Sequence, residues 1–361
     1  MGTDKQNFIM IMILVLFFTS FNLTAQSELP KTIPVVSSSW WQIANEDYDA
    51  GIYSNKPKPG EPTLKNHQQV SDFTIYKSAN GKWQMVSAVR NTKFPSGGHF
   101  LMRWEANDLT DQNWKEKGIF YTTKDFPSSA GYSEGIFYAP HCVSDNGKFY
   151  MFHNSNGSAY LLISDDGIKF HPYVNPDGSF VIFDAGDGGR DLMVMDNRKR
   201  DGLWYVYYTC ADSKNKKLEN RQFTDTYVRT SKNLFGPWSP PDEVGLGTPN
   251  RPRTINHSSY DFVNAESSFV IYHDGFYFKF EQANVVASRD PKIFEGKPVV
   301  ANIFPDFKYP EDWWPALAPE VITDGDKMYI AYFMNHYSHP FHTLKQGGVF
   351  IAELSWKTIP D

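Results

Sequence analysis

One unit of sequence recurs five times: an apolar strand, a polar turn that ends in glycine, and a strand rich in aromatic residues. The turns contain Asn80-Gly81, Asn146-Gly147, Asp201-Gly202, Asp274-Gly275 and Asp324-Gly325. Asn-Gly and Asp-Gly favour the positive φ angles of tight β-hairpins. A second hairpin-like segment follows in each unit, and the aromatic strands recur at intervals of 51 to 73 residues. The repeat predicts five small antiparallel sheets.

Five such sheets arranged radially form a five-bladed β-propeller, so we predict an all-β fold. The alternatives are a β-sandwich, which rarely repeats at this period, and a β-helix, which repeats far more tightly. Aromatic residues make up 16% of the 361 residues, which is enough to bury a large core. We expect the propeller to span residues 71–361, and residues 26–70 to pack on it or close its ring.

The first 25 residues have the pattern of a targeting segment. Lys5 precedes an apolar run from Phe8 to Phe18, and Ala25 stands before the polar Gln26. This pattern is typical of a secretory signal peptide cleaved after Ala25. An uncleaved membrane anchor is the alternative, but the run is shorter than the ~20 residues that span a bilayer. We therefore expect a secreted or periplasmic protein that has no membrane segment after cleavage.

Charge and cysteine content exclude two further classes. The net charge is −6, and an acidic chain without a strong basic patch repels phosphate backbones, so we expect no nucleic-acid partner. Two cysteines, Cys142 and Cys210, are too few for a disulfide-stapled scaffold. Both lie in apolar strand-like runs, which favours buried free thiols.

Carboxylates stand at the start of the first strand in three of the five units. They are Asp72, Asp191 and Glu266, and their distances to the glycine of the following turn are similar. The first strand of each blade lines the central channel of a propeller, so we expect the three acids at equivalent positions of one channel mouth. Each acid alone is typical of a turn or cap. Three like charges in one cavity are costly, which favours a functional role.

The order and spacing of these motifs resemble the five-bladed glycosidases of glycoside hydrolase family 43 and its relatives, families 32 and 117. The matching features lie within residues 70–356: Asp72, Arg190-Asp191, Ala265-Glu266-Ser267, and the strand entries Ala139-Pro140 and Ala318-Pro319. The resemblance implies a glycoside hydrolase in which Asp72 is the general base and Glu266 the general acid. Asp191 would help Glu266 to hold its proton and would orient it. This assignment implies inversion at the anomeric carbon.

The resemblance also implies a carbohydrate substrate that contains pentose. The usual activities are those of a β-xylosidase or an α-L-arabinofuranosidase. A related propeller glycosidase for a fructoside or an algal anhydrogalactoside is the alternative among enzymes. A non-catalytic carbohydrate-binding propeller is the alternative from another class, and three crowded acids argue against it. The sequence does not predict an oligomeric state.

Sugar rings bind to flat apolar surfaces and to hydrogen-bond donors. The candidates for substrate binding are Arg90, Arg190, His141, Trp313, Trp314 and His336. The two arginines can bind hydroxyls or an acidic group, and Arg190 can instead pair with a neighbouring acid. The tryptophans, like Trp40 and Trp41, can equally belong to the core.

We expect no required cofactor and no metal ligand in the chemistry. The resemblance allows a calcium ion in the central channel near His336 or His141, bound more readily through water than directly. The histidine spacing is not that of a structural zinc site.

Overall fold

The computed structural model describes residues 29–55, 68–95, 98–186, 188–211, 224–244, 266–305, 317–334 and 347–359. Strands dominate the described residues, and the one α-helix among them is the four-residue α1, Arg198–Asp201. The strands form five antiparallel sheets, which are the five blades. The predicted all-β, five-bladed propeller is confirmed.

Two strands precede the first blade: β1 (Thr32–Val36) and β2 (Trp41–Asn45). Blade one contains β3 (Gln69–Lys77), β4 (Trp83–Arg90), β5 (Phe100–Ala106) and β6 (Lys115–Tyr121). Blade two contains β7 (Tyr138–Asp145), β8 (Lys148–Ser155) and β9 (Ser158–Ser164), with β10 (His171–Pro172) and β11 (Val181–Asp184) both paired with β9.

Blade three contains β12 (Arg190–Asp196), β13 (Trp204–Ala211), β14 (Thr224–Ser231) and β15 (Asp242–Glu243). Blade four contains β16 (Phe269–His273), β17 (Phe276–Glu281), β18 (Asn284–Ser288) and β19 (Val299–Asn302). Blade five contains β20 (Leu317–Asp324), β21 (Lys327–Met334) and β22 (Gly348–Thr358). Each blade is ordered from its first strand outward.

The first strands make the ring. β3 contacts β7, β7 contacts β12, β12 contacts β16, β16 contacts β20, and β20 returns to β3. The outer edge of blade five is completed by the N-terminal strands, since β1 and β2 both pair antiparallel with β22. Thr32 lies opposite Thr358, so the two ends of the described chain share one sheet.

Aromatic and aliphatic side chains of the second strands fill the space between neighbouring blades. Four buried clusters result: one between blades one and two, one between blades two and three, one across blades three, four and five, and one between blades five and one. The largest fully buried side chains include Trp104, Trp204, Tyr207, Tyr332, Phe152 and Phe278. Burying each such side chain contributes roughly 1.5–3 kcal/mol. Packing between blades therefore holds the ring.

Trp40 belongs to this packing and not to a sugar-binding surface, because its ring stacks on Phe304 with 5.1 Å between centroids. Cys142 and Cys210 are both free thiols, the first buried and the second partly exposed. Within the described ranges no helix is long and apolar enough to cross a membrane. The proposed signal peptide, residues 1–25, lies outside the described residues.

Candidate active site

The segment that leads into the first strand of each blade carries an irregularity. Between the paired residues Val70 and Phe73, β3 contains one residue more than the facing part of its partner strand β4. The same break occurs at 138–141, 190–193 and 317–320. A classic β-bulge has this extra residue, which bends the strand and redirects a side chain. We call these four-residue segments, together with 266–269 of blade four, the entry segments.

The second residue of four entry segments has a left-handed backbone although none is glycine. The φ angles are 42° at Ala139, 58° at Asp191, 54° at Ser267 and 50° at Ala318. A non-glycine residue in this region costs about 1–2 kcal/mol. Such strain is typical of functional sites, because the surrounding structure must hold it in place. The five entry segments together line the central pocket of the ring.

The three acids come from different positions of their entry segments. Glu266 is at the first position, Asp191 at the second and Asp72 at the third. The prediction of equivalent positions is therefore wrong, because the turns after the first strands differ in length. Their side chains nevertheless meet at one mouth: the charges of Glu266 and Asp72 both act on Asp191, and that of Glu266 acts on Asp72.

Asp72 lies half-buried on β3. Its Oδ1 accepts a hydrogen bond of 3.3 Å from Ser267 Oγ of blade four. Burial and the charge of Glu266 raise the pKa of Asp72, and the guanidinium of Arg90 opposes this shift. Asp72 thus has the environment of a carboxylate that can accept a proton from water.

Asp191 is the most enclosed of the three acids. Its backbone N donates to Asn154 Oδ1 at 3.2 Å, which fixes the strained residue from the neighbouring blade. Its Oδ2 is buried and makes no hydrogen bond within the described part of the chain. Burial, followed by the charge of Asp72, raises the pKa of Asp191 well above its ordinary value.

Glu266 is the most accessible acid, with 37% of its side chain exposed. Its Oε1 accepts a hydrogen bond of 3.1 Å from Nε of Arg190. The same Nε lies 3.4 Å from Asp191 Oδ2. Arg190 therefore pairs with the neighbouring acids, which is one of the two roles that the sequence left open, and its binding to substrate stays a prediction.

The charge of Arg90 acts on Asp72 and on two residues that the sequence analysis missed, His99 and Tyr138. Arg90 Nε donates to Gln69 Oε1 at 3.0 Å. His99 packs on Tyr138 with 4.5 Å between ring centroids. Burial and the charge of Arg90 lower the pKa of His99 to about 4, so its imidazole is neutral at pH 7.

Tyr138 is half-buried at the first position of its entry segment, the position that Arg190 and Glu266 occupy in their blades. Burial and the charge of Asp72 raise the pKa of Tyr138, so it keeps its hydroxyl proton. Nothing in the sequence distinguishes Tyr138 from the other aromatic strand residues. Trp313, Trp314 and His336 lie outside the described residues.

The fourth positions form the floor of the pocket: Phe73, His141, Met193, Phe269 and Glu320. His141 is buried, and its Nε2 donates to Val194 O at 3.2 Å. Burial lowers the pKa of His141 to about 4. A neutral histidine below the acids adds no positive charge to the site.

Glu320, also missed from the sequence, ties blade five to blade one. Its Oε1 accepts from Thr74 Oγ1 and from Ile75 N, each at 3.0 Å. Thr74 Oγ1 in turn accepts from Cys142 N of blade two at 3.0 Å. Burial raises the pKa of Glu320 to about 8.

The described residues do not by themselves make a calcium site. The described ranges contain no group of three His, Cys, Asp or Glu residues arranged to hold a metal ion. His141 Nε2 and the Glu320 oxygens already have protein partners. The calcium ion in the channel stays a prediction.

No family model and no curated protein matches the sequence. The fold, however, is similar to that of solved glycosidases. A thermostable family-43 glycoside hydrolase is 18% identical, with a TM-score of 0.55 over 86% of this chain and 96% of that one. A family-43 β-xylosidase/α-arabinofuranosidase from a compost microbial metagenome, in complex with xylotriose, is 16% identical, with a TM-score of 0.54 over 85% and 98%.

A family-43 enzyme from Xanthomonas citri, also complexed with xylotriose, is 14% identical, with a TM-score of 0.53 over 82% and 90%. The match extends over nearly the full length of each of these structures. The predicted resemblance to the family-43 propeller is confirmed at the level of the fold.

Proposed function

We propose that the protein is a glycoside hydrolase that cleaves pentose-containing oligosaccharides or polysaccharides. The observation that carries the proposal is the convergence of Asp72, Asp191 and Glu266 in three different environments at one mouth of the propeller. Glycoside hydrolysis needs two carboxyl groups in opposite protonation states on either side of the anomeric carbon. Xylotriose bound to two solved structures of the same fold supports the pentose substrate.

In the proposed reaction Asp72 is the general base. It takes a proton from the water that attacks the anomeric carbon; Ser267 donates a hydrogen bond to its carboxylate, and the charge of Arg90 favours the ionised form. Glu266 gives a proton to the leaving oxygen as the glycosidic bond breaks. Asp191, buried beside them, helps Glu266 to hold that proton and orients it. We expect inversion, which requires roughly 6.5–9.5 Å between the two reacting carboxyl groups; about 5 Å is typical of a retaining nucleophile.

The finer activity proposed is that of a β-xylosidase or α-L-arabinofuranosidase, exported to the periplasm or medium. The half-buried Tyr138 ring and the two arginines give the mouth the apolar face and the donors that a sugar needs.

The test is hydrolysis of a panel of chromogenic pentosides, fructosides and anhydrogalactosides, together with xylan and arabinan. D72N and E266Q should each lower kcat by about 10²–10⁴-fold, as loss of a general base or acid does. The exposed D177N and E295Q are matched controls. Proton NMR of the first product gives the anomeric configuration. Near wild-type turnover by D72N or E266Q would refute the roles, and saturable sugar binding without any hydrolysis would favour the binding propeller.

A further inference from the structure

Two buried polar side chains occupy equivalent positions in neighbouring blades. Asn154 on β8 lies opposite Tyr138, the first residue of the entry segment of blade two. Thr209 on β13 lies opposite Arg190, the first residue of the entry segment of blade three. Only 1% of Asn154 and 2% of Thr209 is exposed, so both are shielded from a sugar in the mouth.

Both side chains bond to the next blade, at the strained second position of its entry segment. Asn154 Oδ1 accepts from Asp191 N at 3.2 Å, and its Nδ2 donates to Gly189 O at 3.3 Å. Thr209 Oγ1 accepts from Ser267 N at 3.2 Å. The φ angles of Asp191 and Ser267 are 58° and 54°. A left-handed backbone at a residue other than glycine persists only where the surrounding structure fixes it, and these bonds do so.

The equivalent positions of blades one and five hold apolar residues. Val89 and Phe333 each pair with the first residue of their own entry segment. Neither side chain has an atom that can accept a hydrogen bond from the next entry segment. Of the four blades in which this pairing is described, the two with a polar residue are therefore those that precede Asp191 and Glu266 in the ring.

Each bond reaches the acids through one further step. The Asp191 backbone directs its own carboxyl. The Ser267 backbone follows Glu266 directly, and it also directs the hydroxyl that donates to Asp72 Oδ1 at 3.3 Å. Thr209 acts on Asp191 as well, because its hydroxyl opposes the rise that burial causes in the pKa of that carboxyl.

We propose that Asn154 and Thr209 are positioning residues that set the placement of the three acids by fixing the strained residues of blades three and four. They touch no substrate atom and take no part in proton transfer. Their contribution is the backbone geometry from which the acids project. The inference rests on the proposed function, and adds to it the residues that keep the acids in place.

The first test removes the Thr209 bond with little change in side-chain size. In T209V the Ser267 amide loses its acceptor, and kcat should fall about tenfold, which is about 1.4 kcal/mol and the size of one hydrogen bond. KM should stay within about twofold, because a residue behind the acids binds no substrate. T209S keeps the hydroxyl and should restore most of kcat. Wild-type kcat in T209V, or an equal fall in T209S, would overturn the inference.

A double-mutant cycle tests whether Asn154 acts through Asp191. N154A should lower kcat about tenfold in wild type but less than about threefold in the D191N background, where the carboxylate that Asn154 places is gone. Tenfold losses in both backgrounds would mean a general structural role and would also overturn the inference.

V89A is the matched control, because Val89 has the equivalent position in blade one. It should lower the melting temperature and leave kcat unchanged; a fall in kcat equal to that of T209V would mean that kcat only follows stability, against the inference. Hydrogen exchange at the Ser267 amide should be faster in T209V whatever the activity, and unchanged exchange would refute the bond. Near wild-type turnover by D72N or E266Q would instead overturn the proposed function. If T209V does not fold, as judged by its melting temperature, T209A replaces it.

Discussion

Glu320 predicts a specific dependence of stability on pH. The carboxyl is buried in the channel, and its pKa of about 8 compares with an ordinary value of 4.5. Between these values the native state keeps a proton that the unfolded chain has released. The free energy of unfolding therefore falls as the pH rises from 4.5 to 8, and the loss is complete above that range.

The size of the effect follows from the shift. About 3.5 pH units at 1.36 kcal/mol per unit correspond to roughly 4–5 kcal/mol. E320Q replaces the carboxyl by a neutral group of the same shape, whose oxygen can still accept from Thr74 and Ile75. The variant should differ from wild type by less than about 1 kcal/mol at pH 5 and should be more stable by about 4–5 kcal/mol at pH 9.

The assay is urea unfolding followed by tryptophan fluorescence at pH 5, 7 and 9. The exposed E295Q serves as control and should follow the wild-type curve at every pH. If the free energy of unfolding of E320Q and of wild type changes with pH in the same way, the reasoning is refuted. That result would mean that the pKa of the Glu320 carboxyl is the same in the folded and unfolded states. If E320Q is less stable relative to wild type at pH 9 than at pH 5, the predicted sign of the pH effect is wrong.

Three other predictions concern the site and its support. K279M leaves the buried Glu281 without the ammonium at 2.9 Å and should lower the free energy of unfolding by about 3–5 kcal/mol. K279M/E281L removes both charges, so its free energy of unfolding in urea titrations should lie near that of wild type. Equal losses of stability in the two variants would contradict this. S267A removes the hydroxyl that donates to Asp72 and should lower kcat about tenfold with little change in melting temperature, as loss of about 1.5 kcal/mol predicts. Dialysis against EDTA should leave hydrolysis measurable, because the proposed proton transfers use carboxyl groups alone; activity that disappears and returns with calcium would count against it.

The number of blades was predictable because Asn-Gly and Asp-Gly turns mark each inner hairpin directly. The relative positions of the three acids on their strands were not predictable. Five residues separate the paired ends of β3 and β4, seven those of β12 and β13, and two those of β16 and β17. Counting back from the turn glycine therefore compares different strand positions. A one-residue bulge in the entry segment adds to this error, and an apolar pattern does not reveal it.

The identity of the acids was predictable in part, since a carboxylate before an apolar strand is visible in the sequence. The contacts that these acids make with residues of other blades were not predictable. Arg190 and Glu266 are both first residues of entry segments, and they meet only because blades three and four are neighbours in the ring. Tyr138, at the same position of blade two, reads in sequence as an ordinary aromatic strand residue. Glu320 could not be identified from the sequence either, because its hydrogen-bond partners lie in blade one.

The seam between β1 and β22 has a consequence for how the chain is made. Ser38 Oγ accepts from Glu353 N across 315 residues of sequence, and closing so long a loop costs about 3 kcal/mol more than closing one of ten residues. Until β1 and β2 dock, the eleven-residue β22 presents an open row of backbone donors and acceptors to any other chain. Shortening the N-terminal segment past residue 45 should therefore produce aggregates that grow edge to edge, even where the five blades themselves are intact.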